Sequence, residues 1–161
     1  MCAVIYDLES LTLHKTLSSP TEKAHREAVC CLAATPSGLL ASASLDGEIK
    51  LWSMKTLNCV KSLNYGQEYR DTDHRFTFAV QHLLPIDDRY LLSAVGVGFS
   101  LWDVITGECL VNCAKAHRAA VEHVITLYNN ERIVTCSADS SLRIWGPDLA
   151  SVLQRNYFLY D

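Results

Sequence analysis

The sequence feature that most constrains the fold is a strand-like segment ending in tryptophan, which occurs three times. It reads IKLW at Ile49–Trp52, FSLW at Phe99–Trp102 and LRIW at Leu142–Trp145. The second tryptophan follows the first by 50 residues, and the third follows the second by 43 residues. A period of this size predicts stacked structural repeats rather than one continuous core.

Each repeat is made of short segments that alternate between apolar and polar residues, which is the pattern of a half-buried β-strand. At the start of the chain, Tyr6 takes the tryptophan position and Leu17 follows 11 residues later. We therefore predict an all-β chain of two strands, two four-strand units and three strands. The tail from Leu149 to Tyr160 is compatible with either a short helix or a docking strand. The predicted turns are Pro36-Ser37-Gly38, Asp46-Gly47, Asp87-Asp88, Thr106-Gly107 and Asn129-Asn130.

Two of the repeats share a set of polar residues. Each has a histidine before its first strand, an aspartate six residues before its tryptophan, and a hydroxyl residue four residues before that aspartate. A buried carboxylate needs partners, and a histidine, a hydroxyl and an indole N–H can supply a chain of hydrogen bonds. The two sets are His25, Ser42, Asp46 and Trp52, and His117, Thr135, Asp139 and Trp145.

These repeats resemble those of the WD40-repeat family. The resemblance runs from about Ala3 to Trp145 and implies a partial β-propeller of about three and a half four-stranded antiparallel blades. It also implies that the two polar sets are structural networks inside their blades. We expect one domain over residues 1–161, with the end of a blade at 3–23, a blade at 24–64, a degenerate blade at 76–114, and the last blade with the tail at 115–161.

The middle repeat departs from this pattern. Gly96 takes the aspartate position and Leu92 the hydroxyl position when both are counted back from Trp102. His74 lies two residues too early to be the matching histidine. We therefore expect this blade to be held by packing alone.

The residues His25, Ser42 and Asp46 also have the composition of a hydrolase triad. A triad needs its serine on an exposed, strained turn beside an oxyanion hole, whereas Ser42 stands in the middle of a predicted strand. The segment Gly96-Val97-Gly98 lacks the rest of a phosphate-binding motif and is interpreted as a tight turn. We therefore predict that the protein is not an enzyme and that no residue is catalytic.

Composition narrows the class of protein further. The net charge of −4 argues against a nucleic-acid-binding surface, which is usually basic. Seven cysteines form no CxxC pair, so we expect buried free thiols, a reducing compartment and neither a metal nor a cofactor. No apolar run is long enough to span a bilayer, and the first ten residues lack the features of a secretory signal.

The family resemblance implies a non-catalytic scaffold for protein–protein interactions. The order of blades, with SAVGVGFSLWD in the degenerate one, is similar to that of a WD-repeat subunit of a DENN-domain protein complex in autophagy and lysosomal signalling. That similarity implies that DENN-domain proteins are the partners. It also implies that the protein is cytoplasmic, is recruited to lysosomes and associates with membranes only through its partners. The alternative is a substrate-recognition module of a ubiquitin ligase or of another multiprotein complex.

Candidate partner-binding residues follow from position alone. Arg26, Glu27 and Arg118 would lie on one rim, in the loops that lead into two of the blades. Tyr69 and Arg70 belong to the polar segment from Tyr65 to Arg75, which is either a recognition loop or a solvated connector.

About three and a half blades are fewer than the four to eight of a closed propeller. Because the chain opens in the middle of a blade, we expect it to be part of a longer propeller. Two alternatives remain open. The first two strands could complete the last blade of a four-bladed ring, or another chain could complete the ring. An open blade exposes strand edges that invite pairing.

Overall fold

The computed structural model describes residues 4–7, 9–17, 25–64, 79–127, 130 and 132–146. Within these residues every regular element is a β-strand, and the strands form four antiparallel sheets of two to four strands. The predicted fold class is therefore confirmed: the structure is all-β and is a partial β-propeller. The predicted tail from Leu149 to Tyr160 lies outside the described residues.

The described strands group into a half blade, two four-stranded blades and a three-stranded blade. The half blade contains β1 (Val4–Tyr6) and β2 (Leu13–Thr16). The first blade contains β3 (Val29–Ala34), β4 (Leu39–Ser44), β5 (Ile49–Ser53) and β6 (Cys59–Leu63). The middle blade contains β7 (Val80–Pro85), β8 (Tyr90–Val95), β9 (Gly98–Asp103) and β10 (Cys109–Cys113). The last blade contains β11 (Val121–Leu127), β12 (Arg132–Ser137) and β13 (Leu142–Trp145).

Glycine decides the geometry at two places in these sheets. The turn between β4 and β5 contains Gly47 with a φ of 82°, a left-handed conformation that glycine adopts without steric cost. Gly98 at the start of β9 is needed for a different reason. A Cβ there would lie 2.1 Å from the carbonyl oxygen of Cys113 on β10, so only glycine allows the two strands to approach this closely.

Each blade has two faces, because successive side chains of a strand point to opposite sides of the sheet. In the first blade, Trp52 pairs with Leu40, and Ser42 pairs with Lys50, so these four side chains share one face. We call the face that carries the tryptophan the indole face, and the other the opposite face. In β1 of the half blade, Tyr6 holds the tryptophan position and defines the indole face.

The hydrophobic core lies between the blades. Leu51 on the opposite face of the first blade belongs to one cluster with Trp102 of the middle blade. Leu101 on the opposite face of the middle blade packs in the same way with Trp145 of the last blade. Leu17, just after β2, covers Trp52. Trp52 and Trp102 are almost completely buried, so replacing either one by alanine would cost about 3–5 kcal/mol.

The cysteines of the described residues are all free thiols. The expectation that they are buried is wrong for Cys30 and Cys109, which are exposed. Cys30 is the extra residue of a β-bulge between Val29 and Cys31, and a bulge turns its unpaired residue out of the regular alternation. Cys31 packs against the core, and burial raises the pKa of its thiol to about 12.

Candidate functional site

In the first blade, three side chains meet at one buried hydroxyl. The indole Nε1 of Trp52 donates to Ser42 Oγ at 2.8 Å, and His25 Nε2 lies 2.7 Å from the same oxygen. The indole can only donate, so Ser42 Oγ accepts from it, and a second hydrogen bond joins the same oxygen to His25 Nε2. Ser42 is completely buried, so these two side chains supply the hydroxyl with partners where water cannot reach it.

The aspartate of the first blade ties the turn after β4 to the loop before β3. Asp46 Oδ2 accepts a hydrogen bond from the backbone N–H of Arg26 at 2.9 Å, and Oδ1 accepts one from Glu48 N, also at 2.9 Å. Partial burial acts to raise the pKa of Asp46, but the backbone donors of Glu48 and Arg26 outweigh it and leave the pKa below its usual value. The carboxylate is therefore held in its charged form.

The last blade repeats this arrangement and extends it. Trp145 Nε1 donates to Thr135 Oγ1 at 2.8 Å, and His117 Nε2 lies 2.7 Å from that hydroxyl. The other ring nitrogen of His117, Nδ1, is 3.3 Å from Asp139 Oδ2 and 2.9 Å from Ser141 Oγ. The Asp139 carboxylate can only accept, so Nδ1 of His117 carries a proton and donates it toward Asp139.

Asp139 also anchors the loop that precedes its blade. Its Oδ2 accepts from the backbone N–H of Arg118 at 2.9 Å, and its Oδ1 accepts from Ser141 N at 2.9 Å. The hydrogen bond from the Ser141 hydroxyl and the one from Arg118 N hold the pKa of Asp139 well below its usual range. The backbone of Arg118 is thus bound in the same way as that of Arg26.

The structure of the middle blade shows that two expectations from the sequence were wrong. Trp102 Nε1 donates to Ser93 Oγ at 2.9 Å, so Ser93 and not Leu92 holds the hydroxyl position, and packing is not the only force in this blade. Counting residues back from Trp102 gave Leu92 instead of Ser93, because the turn between β8 and β9 is one residue shorter than the turn between β4 and β5 of the first blade. Ala94 pairs with Phe99, five residues on, whereas in the first blade the paired residues are six apart.

The middle blade has a carboxylate contact at the other end of its sheet, which the sequence analysis missed. Asp103 Oδ2 accepts from Arg89 Nε and Nη2, both at 2.8 Å, and Asp103 Oδ1 accepts from the backbone N–H groups of Ile105 and Thr106. Asp103 is buried, and these donors lower its pKa against the effect of burial. The signal was available in the Trp102-Asp103 dipeptide, which ends many propeller repeats.

The geometry of the polar sets differs from that of a catalytic site. Ser42 and Thr135 are completely buried, and each accepts from an indole, so neither is an exposed nucleophile of the kind that a triad needs. His25, Asp46 and Glu48 offer ligand atoms within 4.8 Å of one another. Both carboxylate oxygens of Asp46 already accept backbone hydrogen bonds, and we assign this group to the blade's own hydrogen bonding.

The structure places three of the candidate partner-binding residues on the surface. Arg26, Glu27 and Arg118 are exposed. The two arginines hold matching positions in the loops before β3 and β11, at the strand ends where the blade aspartates lie. We call the surface formed by these loops the arginine edge. Tyr69 and Arg70 lie outside the described residues.

Comparison with known proteins identifies the class. The WD domain, G-beta repeat family matches residues 15–53 and 107–146, and these two segments contain the two regular polar sets completely. The chain therefore belongs to the WD40-repeat family. Neither match covers residues 54–106, which include β7, β8 and β9 of the middle blade.

Several WD-repeat relatives align with most of the chain. Human pre-mRNA-processing factor 17 is 30% identical over 67% of this chain and 17% of its own length. The CCR4-associated factor 4 homolog of Candida glabrata is 33% identical over 91% of this chain and 25% of its own length. Nuclear distribution protein nudF of Emericella nidulans is 24% identical over 83% of this chain and 39% of its own length. The chain thus spans less than two fifths of each of these relatives.

Proposed function

We propose that the protein is a non-catalytic scaffold that binds other proteins through the arginine edge of its blades. The observation that carries this proposal is the matched binding of the Arg26 and Arg118 backbones by Asp46 and Asp139. The carboxylates fix the loops, and the arginine side chains remain exposed. Fixed loops that present charged side chains lose little conformational entropy when a partner binds.

The chemistry of the edge favours an acidic or polar partner surface. An arginine guanidinium presents several N–H donors in a planar fork, which suits carboxylates and backbone carbonyls. Glu27 lies beside Arg26 and adds a charge of the opposite sign. A mixed pair of this kind supports specificity and orientation more than affinity.

The finer proposal is that the protein acts as a subunit of a DENN-domain protein complex in autophagy and lysosomal signalling. It rests on the similarity of the degenerate middle blade to that of WD repeat-containing protein 41. Under this proposal the protein is cytoplasmic and reaches lysosomes through its partners. The relatives named above point by name to pre-mRNA processing, to CCR4 and to nuclear distribution, so the partner class has to be decided by experiment.

The test is affinity purification of the tagged full chain from cells, followed by mass spectrometry with quantification. We expect a protein recovered in near-stoichiometric amount from the unchanged chain and lost from the double variant Arg26→Glu, Arg118→Glu. The matched control is Lys55→Glu, an exposed charge in the turn between β5 and β6, which lies at the other end of the first blade's strands.

The outcomes separate the proposals. Recovery of DENN-domain proteins supports the finer assignment, and recovery of ubiquitin-ligase subunits without them replaces it by the substrate-recognition function. If the same partner is retained by the double variant but lost with Lys55→Glu, the arginine edge is not the binding surface.

A further inference from the structure

The blade junctions of the described residues follow one packing rule: the indole face of each blade is covered by the opposite face of the blade before it. Trp102 lies in one cluster with Leu51 of the first blade. The rings of Trp145 and Phe99 are 5.3 Å apart between their centroids. Trp52 packs with Ile5, which lies on the opposite face of the half blade.

Two faces are left without such a cover within the described residues. The indole face of the half blade carries Tyr6 and Leu13, which pair with each other and are 57% and 55% exposed. The opposite face of the last blade carries Leu142 and Ile144, which are 65% and 62% exposed, with Ile125 beside them. Both faces are apolar, and apolar side chains that cluster on a surface mark an interaction site.

A comparison of matched positions in the three blades shows that the exposure of a side chain there depends on the neighbouring blade and not on the residue type. Leu32, Leu83 and Val124 each pair with the network hydroxyl residue of their own blade. Leu83 and Val124 are buried against a four-stranded neighbour. Leu32 is exposed because the half blade supplies only two strands to cover it.

We propose that the Tyr6 face of one copy of this chain packs on the Leu142 and Ile144 face of a second copy. The two faces are the two sides of the junction that the structure already builds three times, so the contact continues an existing interface. The half blade would supply the indole face, with Tyr6 in the tryptophan position, and the last blade would supply the opposite face. This inference is independent of the partner proposed above.

A contact of this kind is heterologous, because each copy contributes a different face. One junction joins two copies and leaves one free face on each of them. A second junction between the same copies buries both remaining faces and closes the assembly, whereas further copies extend it. A second copy is the occupant that the structure favours, because both sides of the junction are present on one chain.

The decisive experiment measures the mass of the full chain in solution over a range of concentrations by light scattering after size exclusion. We expect the unchanged chain to self-associate and the variants Tyr6→Glu and Ile144→Glu each to weaken association by about tenfold or more, since a charge would be buried in an apolar contact. Each variant alone retains one intact face. A mixture of the two variants is therefore expected to form a 1:1 complex.

The matched control is Ile105→Glu, because Ile105 is 64% exposed but lies in the turn between β9 and β10, away from both faces. It should leave association unchanged, and Leu142→Lys provides a second change on the last blade if Ile144→Glu does not fold. A chain that stays monomeric at all concentrations overturns the proposal, and so does a mixture that fails to associate. A monomer destabilised by Ile144→Glu shows that the same chain covers the face, which overturns it too.

Discussion

The two regular blades and the middle blade hold their tryptophans by the same bond but fix their turns by different means. Trp52, Trp102 and Trp145 all donate to a hydroxyl on the neighbouring strand. In the regular blades a histidine also reaches that hydroxyl, and an aspartate binds the loop that leads into the blade. In the middle blade, the buried carboxylate is Asp103, at the other end of the sheet, where it pairs with Arg89.

This difference shows that strand pairing fixes the position of the hydroxyl, whereas the length of the turn affects the position of the aspartate. Pairing of two adjacent strands places the hydroxyl opposite the indole, and this survives the loss of one residue from the turn. The aspartate of the regular blades stands in that turn, and the shorter turn of the middle blade contains no carboxylate. In the middle blade Gly96 and Val97 form the turn, and their carbonyl oxygens accept backbone hydrogen bonds from Val121 and His117 of the next blade.

Among changes to the polar contacts of the blades, the largest effect is expected from removing the hydroxyl of a regular blade. Thr135→Val preserves the side-chain shape but deprives both Trp145 Nε1 and His117 Nε2 of their bonds to that oxygen. A buried polar group left unsatisfied costs about 1–3 kcal/mol, so we expect a loss of about 3 kcal/mol in the free energy of unfolding. The measurement is the midpoint and slope of urea denaturation.

The matching change in the middle blade is Ser93→Ala, which removes the acceptor of the Trp102 indole N–H and the hydrogen bond from Ser93 Oγ to the carbonyl oxygen of Ser100. We expect a loss of about 1–3 kcal/mol in the free energy of unfolding. An unchanged stability of Ser93→Ala beside a large loss in Thr135→Val would show that the bond shared by the three tryptophans does not stabilise the middle blade.

The next effect tests the short turn of the middle blade. Gly98→Ala would place a Cβ 2.1 Å from the carbonyl oxygen of Cys113, so β9 and β10 must separate, at a cost of about 2 kcal/mol or more. The control is Gly38→Ala, whose Cβ meets nothing within 4 Å and which pays only for its φ of 83°, about 1 kcal/mol. A smaller loss for Gly98→Ala than for Gly38→Ala in thermal unfolding would contradict the close strand approach.

A smaller effect is expected from replacing Asp103, the buried carboxylate of the middle blade. Asp103→Asn removes the charge that pairs with Arg89 and keeps the side-chain shape. Arg89 is half exposed, so solvent weakens the pair, and we expect a loss of about 1–2 kcal/mol. Asp88→Asn, an exposed neighbour in the preceding turn, should change the stability by less than about 0.5 kcal/mol. Denaturation at pH 7 and low salt distinguishes the two.

The smallest effect is a pH dependence at the junction of the middle and last blades. His82 and His123 lie with their ring centroids 4.9 Å apart, and Val124 N donates to His82 Nδ1 at 3.5 Å. Burial, and then the charge of His123, lower the pKa of His82 below its usual value of 6.5. Its contribution to stability is therefore complete above pH 6.5 and is lost as the pH falls through the folded-state value.

We expect His82→Gln to reduce the loss of unfolding free energy between pH 6.5 and pH 5 relative to the unchanged chain. His14→Gln is the control, since His14 is exposed on β2. An identical pH dependence in the unchanged chain and in His82→Gln would show that this contact does not sense protonation.

The sequence predicted the architecture well because the repeated pattern is local. The tryptophan segments and the turn residues place the strands of the half blade and of all three blades, since a period of two and short turns leave few other pairings. The positions of Ser42 and Thr135 opposite their tryptophans follow from the same local count. The position of Ser93 did not, because a one-residue change in the turn shifts every position counted from Trp102.

The pairing and exposure of residues that depend on tertiary contacts could not be predicted from local spacing. Arg89 and Asp103 are 14 residues apart and meet only because β8 and β9 pair. Cys30 stands in an apolar run, yet a bulge exposes it. Exposure of Leu32 and burial of Leu83 depend on how many strands the neighbouring blade supplies, and strand-level patterns contain no such information.

The sequence by itself determined the all-β fold, the order of the blades and the polar sets of the two regular ones, because each of these depends on spacings within a single repeat. The tertiary structure alone decided which hydroxyl the middle tryptophan binds, where its blade keeps a buried carboxylate, and which faces remain apolar and exposed. These features depend on contacts between strands and between blades, and the free energy of such contacts is set by the neighbour as much as by the residue.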